Sequence, residues 1–151
     1  MRVLLQRVSK ASVTVDNKIT GQISRGYVLL LGVGHNDTPQ IADKLADKIV
    51  NLRIFNNEAG KFDLSLLDIK GEALVVSQFT LFADCKKGRR PNFTNAGKPD
   101  EASPLCDYFM DRLEKLGVPS VQSGVFGAHM DVEIHNDGPV TVWLDSNDLN
   151  L

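Results

Sequence analysis

Two short polar stretches hold the residue types from which a reactive site could be built. The first, Ser77-Gln78-Phe79-Thr80, interrupts an otherwise apolar run from Ala73 to Ala83. A buried hydroxyl or amide without a partner costs roughly 1–3 kcal/mol. Polar side chains so close together in such a run therefore need backbone partners or a substrate. In an extended chain Gln78 and Thr80 share one face, with Ser77 and Phe79 on the other. The second stretch is Asn136-Asp137-Gly138-Pro139-Val140-Thr141. Asn-Asp-Gly is an ordinary turn sequence. Pro139, however, withholds an amide donor where a return strand would start pairing, which implies an edge, a bulge or an unusual backbone. The sequence leaves the isomer of the Gly138–Pro139 bond open; about 5–6% of such bonds in folded proteins are cis.

The remaining chemistry-bearing residues form no familiar catalytic set. His35, His129 and His135 stand in a glycine-rich stretch, a loop and a strand, with no obvious carboxylate partner. Thr80 offers a hydroxyl nucleophile but no adjacent base. Cys85 precedes Lys86 and Lys87, cations that favour a thiolate, and is a rival nucleophile. The reading to prefer is an ordinary small residue at a strand end. The run Lys86, Lys87, Gly88, Arg89, Arg90 is the one basic cluster, either a solvated loop or a set of phosphate contacts. Two cysteines and three histidines show no zinc-ligand spacing. Gly32-Val33-Gly34 lacks the third glycine of a dinucleotide loop. No metal and no cofactor are expected.

These residues must be carried by a scaffold of modest size. A chain of 151 residues fits one domain with a real core. A formal net charge of −2 gives no global attraction to nucleic acid, so an RNA partner would have to meet a local basic patch. The N-terminal apolar run is too short for a signal peptide. The longest apolar run, Tyr27 to Leu31, falls far short of the ~20 residues a membrane helix needs. A soluble, cytoplasmic protein with reduced thiols is expected.

Alternation at Ala11, Val13 and Val15 predicts a half-buried strand. A turn at Asp16-Asn17-Lys18 leads to a return arm, Ile19 to Ile23. Tyr27–Val33 is apolar on both faces and predicts a covered central strand. Thr38 followed by Pro39 predicts a helix start, with Ile41, Leu45, Ile49 and Leu52 on its apolar stripe. Ala73–Ala83 predicts a second buried strand, with Phe79 and Phe82 inside. The polar segment from Asp84 to Lys98 is a long loop, and such loops in compact domains usually carry function. A second helix runs from Pro99 or Ser103 to Leu116, stopped by Gly117, and Val118–Val125 is extended. Asp131–His135 and Val140–Leu144 flank the Asn136–Pro139 turn as a hairpin. The whole predicts an α+β fold: one compact domain, mostly antiparallel and barrel-like, with two or three helices packed outside.

Ser77-Gln-Phe-Thr-Leu81 and Asn136-Asp-Gly-Pro-Val-Thr141, at this separation, resemble the D-aminoacyl-tRNA deacylase family. Further matches agree: Gln6-Arg7-Val8 with Ala11-Ser12-Val13, Arg53-Ile54-Phe55, Arg90-Pro91 before Phe93, Asp107-Tyr108-Phe109, and Phe126-Gly127-Ala128-His129-Met130. The resemblance covers residues 1 to about 145; residues 146–151 read as a variable tail. It implies a homodimer that hydrolyses the ester of D-aminoacyl-tRNA, and of glycyl-tRNA, while rejecting L-aminoacyl groups. It implies a cis Gly138–Pro139 bond reaching into the partner subunit's site, with Val140 and Thr141 beside it. It also implies backbone amides near Phe79 and Thr80 as an oxyanion hole, with Ser77 and Gln78 in the same strand. The 2′-hydroxyl of the terminal adenosine would help water, and Phe126, Gly127, Ala128 and Met130 would line the adenosine pocket. Lys86, Lys87, Arg89 and Arg90 would meet tRNA phosphates. Two rivals stand beside this: a hydrolase using Thr80 or Cys85 covalently, and a non-catalytic RNA-binding module with exposed aromatics.

Overall fold

A computed structural model describes residues 1–151. Its organising element is the long first strand, β1 (Arg2–Val15), which serves several partners. The far half of β1 pairs antiparallel with β2 (Lys18–Ile23) across a turn at Asp16 and Asn17, both at positive φ. Aspartate and asparagine are among the residues that tolerate that backbone. The near half pairs antiparallel with β3 (Gly26–Gly32). β3 lies parallel to β6 (Glu72–Ser77), and β6 parallel to β7 (Val121–Ser123). Parallel neighbours need long crossovers. One holds α1 (Pro39–Val50) and the small ribbon of β4 (Phe55–Asn56) and β5 (Phe62–Leu64); the other holds α2 (Pro99–Lys115). The six-stranded sheet runs β2-β1-β3-β6-β7, and β8 (Asp131–Asp145) takes the other edge of β1. The sheet curls until its ends nearly meet. A Cβ on Gly21 of β2 would stand 2.6 Å from the Ser123 carbonyl of β7, so only glycine permits that approach.

Alternation along the strands sorts the core into two. Leu5, Leu29 and Val75 point to the helices and join an outer core of 23 buried residues. Val8, Val28, Leu74 and Val76 point the other way and fill the barrel with Ala11, Val13 and Ile23. Both faces are covered, which explains why β3 and β6 read as unbroken apolar runs. α1 starts as its sequence predicts: the Thr38 hydroxyl accepts from the Ile41 amide at 3.4 Å, and Pro39 takes the first turn. Leu52 lies past the helix end but still packs on the outer core. The last residues fold back as well: Ser146 N donates to Met1 O at 2.9 Å, and Leu149 and Leu151 rest on the outer core. No helix is long and apolar enough to cross a membrane.

Two local expectations are overturned. Ala73–Ala83 is not one strand, because β6 ends at Ser77 and Phe79–Phe82 form a 3₁₀ turn. The reason is loss of a partner. Gln78 N still donates to Leu31 O at 2.7 Å, but β3 stops at Gly32, and the chain turns its amides inward, Leu81 N to Gln78 O and Ala83 N to Thr80 O. The two-faced arrangement of Ser77 to Thr80 therefore does not form. Phe79 is 56% exposed instead of buried, while Phe82 is buried as expected.

The second correction concerns the end of the chain. Asp131–His135 and Val140–Leu144 are not two arms of a hairpin. They belong to one strand, β8, antiparallel to β1 along its whole length. The register steps from Val8↔Asn136 to Gln6↔Thr141, so Asp137 to Val140 leave the ladder as a bulge. β1 is long enough to offer partners on both sides of the break, so the strand resumes its direction instead of reversing. A proline without an amide donor suits a residue outside the ladder.

Candidate active site

A cleft of about 640 Å³ opens at the carboxyl ends of the parallel pair β3 and β6. The strand ends contribute Leu31, Val33 and Val76, and the chain leaving β6 contributes Ser77, Gln78 and Phe79. The segment between β7 and β8 adds Phe126, Gly127, Ala128, His129 and Met130, and the loop before α2 adds Phe93, Ala96, Gly97 and Lys98. Two sequence motifs about fifty residues apart thus converge on one hollow. No aspartate or glutamate lines it; Lys98 and His129 are its only ionisable groups besides the buried Cys106.

The 3₁₀ turn is held at its far end by Arg2. Arg2 donates through Nη1 to Leu81 O at 2.9 Å and through Nε to Asp145 Oδ2 at 2.8 Å, with its guanidinium 4.4 Å from the Phe82 ring centre. The first internal bond of the turn comes from Leu81, so the amides of Phe79 and Thr80 precede it. The opening amides of a helical turn have no acceptor within the turn. Thr80 sits on the exposed side and does not line the cleft; its Oγ1 accepts a hydrogen bond from Gln78 Nε2. No histidine or carboxylate bonds to it, so nothing on this chain is placed to take its proton.

Gly138, Pro139, Val140 and Thr141 stand elsewhere, none of them lining the cleft of their own chain. The Gly138–Pro139 bond is cis, and Gly138 has φ 138°. Asn136 braces the bulge from below: its Oδ1 accepts from Val140 N at 2.9 Å, and its Nδ2 donates to Thr141 Oγ1 at 3.1 Å. Arg7 braces it from the side. Its guanidinium, only 7% exposed, donates to Asp137 O at 2.9 Å, Ile54 O at 2.7 Å and Asn56 Oδ1 at 3.3 Å. Gly138 and Pro139 themselves remain exposed.

The basic loop is closed at its neck by paired bonds between Asp84 and Asn92, 2.7 and 2.9 Å. Lys86, Lys87, Arg89 and Arg90 project beyond that neck, all exposed and none in an ion pair. Cys85 is exposed beside them, outside the cleft. Cys106 lines the cleft, but burial, with Asp107 adding to it, pushes its thiol up to about 12. A thiolate is therefore scarce at the only cysteine within reach. Treatment with a thiol-alkylating reagent at neutral pH is expected to label Cys85 and leave the hydrolytic rate unchanged. A stoichiometric loss of activity on labelling would restore the cysteine-nucleophile reading.

Sequence reasoning left Arg7, Arg2 and Phe93 out of the site. Arg2 and Arg7 had a usable signal: both interrupt an apolar strand, and Arg7 falls in the inward alternation Val3, Leu5, Arg7. A charge there is rarely left unpaired. Phe93 had none, since one phenylalanine in a polar loop gives no clue to what it touches.

Comparison with known proteins gives the chain a family. Residues 4–145 match the family model described as D-Tyr-tRNA(Tyr) deacylase. A D-aminoacyl-tRNA deacylase of Thermomicrobium roseum is 61% identical over 149 residues, covering 99% of this chain and 96% of that protein. One from Bacillus cytotoxicus is 56% identical, covering 97% of this chain and 99% of that one. The solved structure of a c-Myc DNA Unwinding Element Binding Protein superposes with a TM-score of 0.90 at 40% identity, covering 96% of this chain and 98% of that one. A family model matched over nearly the whole chain, and a relative 61% identical over 149 residues, show that the chain belongs to the D-Tyr-tRNA(Tyr) deacylase family.

Proposed function

We propose that the protein hydrolyses the ester bond of D-aminoacyl-tRNA, and of glycyl-tRNA, and spares L-aminoacyl-tRNA. The observation that carries this is the convergence of Ser77–Phe79 and Phe126–Met130 on one cleft without a carboxylate, in a chain of this family. The terminal adenosine is assigned to the Phe126, Gly127, Ala128 and Met130 side. The ester carbonyl is assigned to the amides of Phe79 and Thr80, as an oxyanion hole. Water then adds its oxygen to the acyl carbon, the bond to the ribose 3′ oxygen breaks, and the proton ends on that oxygen. An aminoacyl ester is already activated, so modest transition-state stabilisation suffices. The 2′-hydroxyl of the substrate, beside the attacked carbon, is the group assigned to position the water.

Chiral selection is assigned to the bulge. Its carbonyls can bond the substrate ammonium and occupy the space an L side chain would need, whereas glycine has no side chain to clash. Selection by exclusion leaves D side-chain identity unimportant. The functional unit is assigned as a two-fold homodimer in which each subunit completes the other's site, a reading supported by the absence of Gly138 and Pro139 from the lining of their own cleft. Lys86, Lys87, Arg89 and Arg90 are assigned to acceptor-stem phosphates, and the working compartment is the cytoplasm.

The direct test is loss of ester from D-aminoacyl-tRNA on incubation with the protein. Thr80→Ala is expected to lower the rate less than about tenfold, since the amide and not the hydroxyl is used. Abolished activity together with an acyl-enzyme trapped on Thr80 would establish the covalent rival instead. Sedimentation is expected to show a dimer at assay concentration; a fully active monomer would refute the shared site.

A further inference from the structure

Phe79 and Phe93 form an aromatic pair at the mouth of the cleft, and nothing in the reaction as described uses their rings. The ring centres are 5.0 Å apart at 68°, an edge-to-face contact. Both residues line the cleft, and Phe79 keeps 56% of its surface exposed. Neither ring belongs to either core cluster. Phe93 is nevertheless held in place. Its neighbour Asn92 closes the loop neck with Asp84, and the carbonyl of Thr94 is bonded to His35 Nε2 at 2.7 Å. The same neck carries the four unpaired cations Lys86, Lys87, Arg89 and Arg90, and Phe93 follows Arg90 by three residues.

A pair of aromatic rings lining a carboxylate-free cleft beside a basic loop fits single-stranded nucleic acid, whose bases stack on aromatics while its phosphates meet cations. We infer that Phe93, with Phe79 as its buttress, is a stacking platform for the base of the penultimate nucleotide of the acceptor strand. The basic loop would then receive the phosphates leading away from that nucleotide. This rests on the proposed deacylase reading and extends it by one nucleotide subsite. A terminal adenosine alone would fill the inner cleft and leave the platform empty. Recognition by stacking tolerates any base, so the platform lends affinity without selecting among tRNAs.

The test compares two D-aminoacyl esters, one on adenosine alone and one on a dinucleotide ending in adenosine. The quantity read is the ratio of kcat/KM for the dinucleotide over that for the adenosine. In the wild type the ratio is expected well above one, and Phe93→Leu, which keeps an apolar side chain but removes the ring, is expected to lower it about tenfold, within the range of a lost base stack. Taking a ratio within one variant removes any general loosening of the loop. An unchanged ratio in Phe93→Leu, whether both rates fall or neither does, overturns the platform and leaves the deacylase reading standing. A wild-type protein that hydrolyses neither ester, nor the full D-aminoacyl-tRNA, overturns both.

Discussion

Alanine at position 138 is expected to lower kcat/KM for D-aminoacyl-tRNA by about a hundredfold and to narrow the preference for D over L substrates, while costing less than ~2 kcal/mol of stability. Gly138 has φ 138°, a backbone region that L side chains rarely adopt. A Cβ there would stand 2.8 Å from Val140 Cγ2, 3.0 Å from Val140 N and 3.1 Å from Arg7 Nη2. The Val140 amide is the one that Asn136 Oδ1 holds at 2.9 Å, so the added methyl pushes on the brace that shapes the bulge. The bulge is exposed and outside the ladder, so the barrel can absorb its displacement with little loss. A displacement near 1 Å at a substrate-positioning group is enough for losses of this size. Urea midpoints and paired kinetics on D- and L-tyrosyl-tRNA separate the two effects. Wild-type kinetics in Gly138→Ala would remove the bulge backbone from the account.

Replacing Arg7 by methionine is expected to do the opposite in proportion: a loss of ~2–4 kcal/mol in stability together with at least a tenfold loss of D-over-L discrimination. The guanidinium reaches three acceptors on two other segments, Asp137 O, Ile54 O and Asn56 Oδ1, so it ties the bulge to the chain before and within β4. Methionine fills the stem's volume but leaves the partly buried carbonyls of Asp137 and Ile54 without this donor, which is the costly half of a lost hydrogen bond. Lysine is a poor substitute, because one ammonium cannot present the planar fork that three spread acceptors require. Arg7→Lys is therefore expected to recover part of the stability and little of the selectivity. Thermal unfolding beside the same kinetic pair reads both. A stable Arg7→Met protein with undiminished selectivity would show that the bulge needs no tether.

How much of this was legible in the sequence follows from what each signal depends on. The covered strands Tyr27–Val33 and the start of Ala73–Ala83 were legible because burial on both faces leaves an unbroken apolar run. The first helix was legible because its cap is local: Thr38, Pro39 and a 3.6-residue stripe lie within one stretch of chain. The break after Ser77 was not, because it is set by where a different strand stops. β3 ends at Gly32 and leaves Gln78 the last residue with a ladder partner. The hairpin expectation failed for the same kind of reason, although Pro139 already pointed to an edge, a bulge or an unusual backbone. Asn-Asp-Gly-Pro carries the local chemistry of a reversal, and only the length of β1, more than a hundred residues earlier in the chain, lets the strand carry on. Ser77–Thr80 and Asn136–Thr141 stand out by residue type, Phe126–Met130 only by resemblance, and the cleft brings the first and the last of these together. The braces Arg2 and Arg7 came only with the contacts, although a charge at an inward position of β1 was already a sign that something buried needed a donor.

At issue is whether the backbone of this fold tells the hand of an amino acid attached to tRNA. The measurement that reaches it most directly uses one tRNA charged in parallel with D- and L-tyrosine, incubated with the wild-type protein, with ester loss followed over time for both. The account predicts rapid release of D-tyrosine while the L ester decays no faster than in buffer, with a rate ratio of at least about a hundred, the scale of a single well-placed steric exclusion in the transition state. Comparable rates on the two esters, or no release of either, would contradict it.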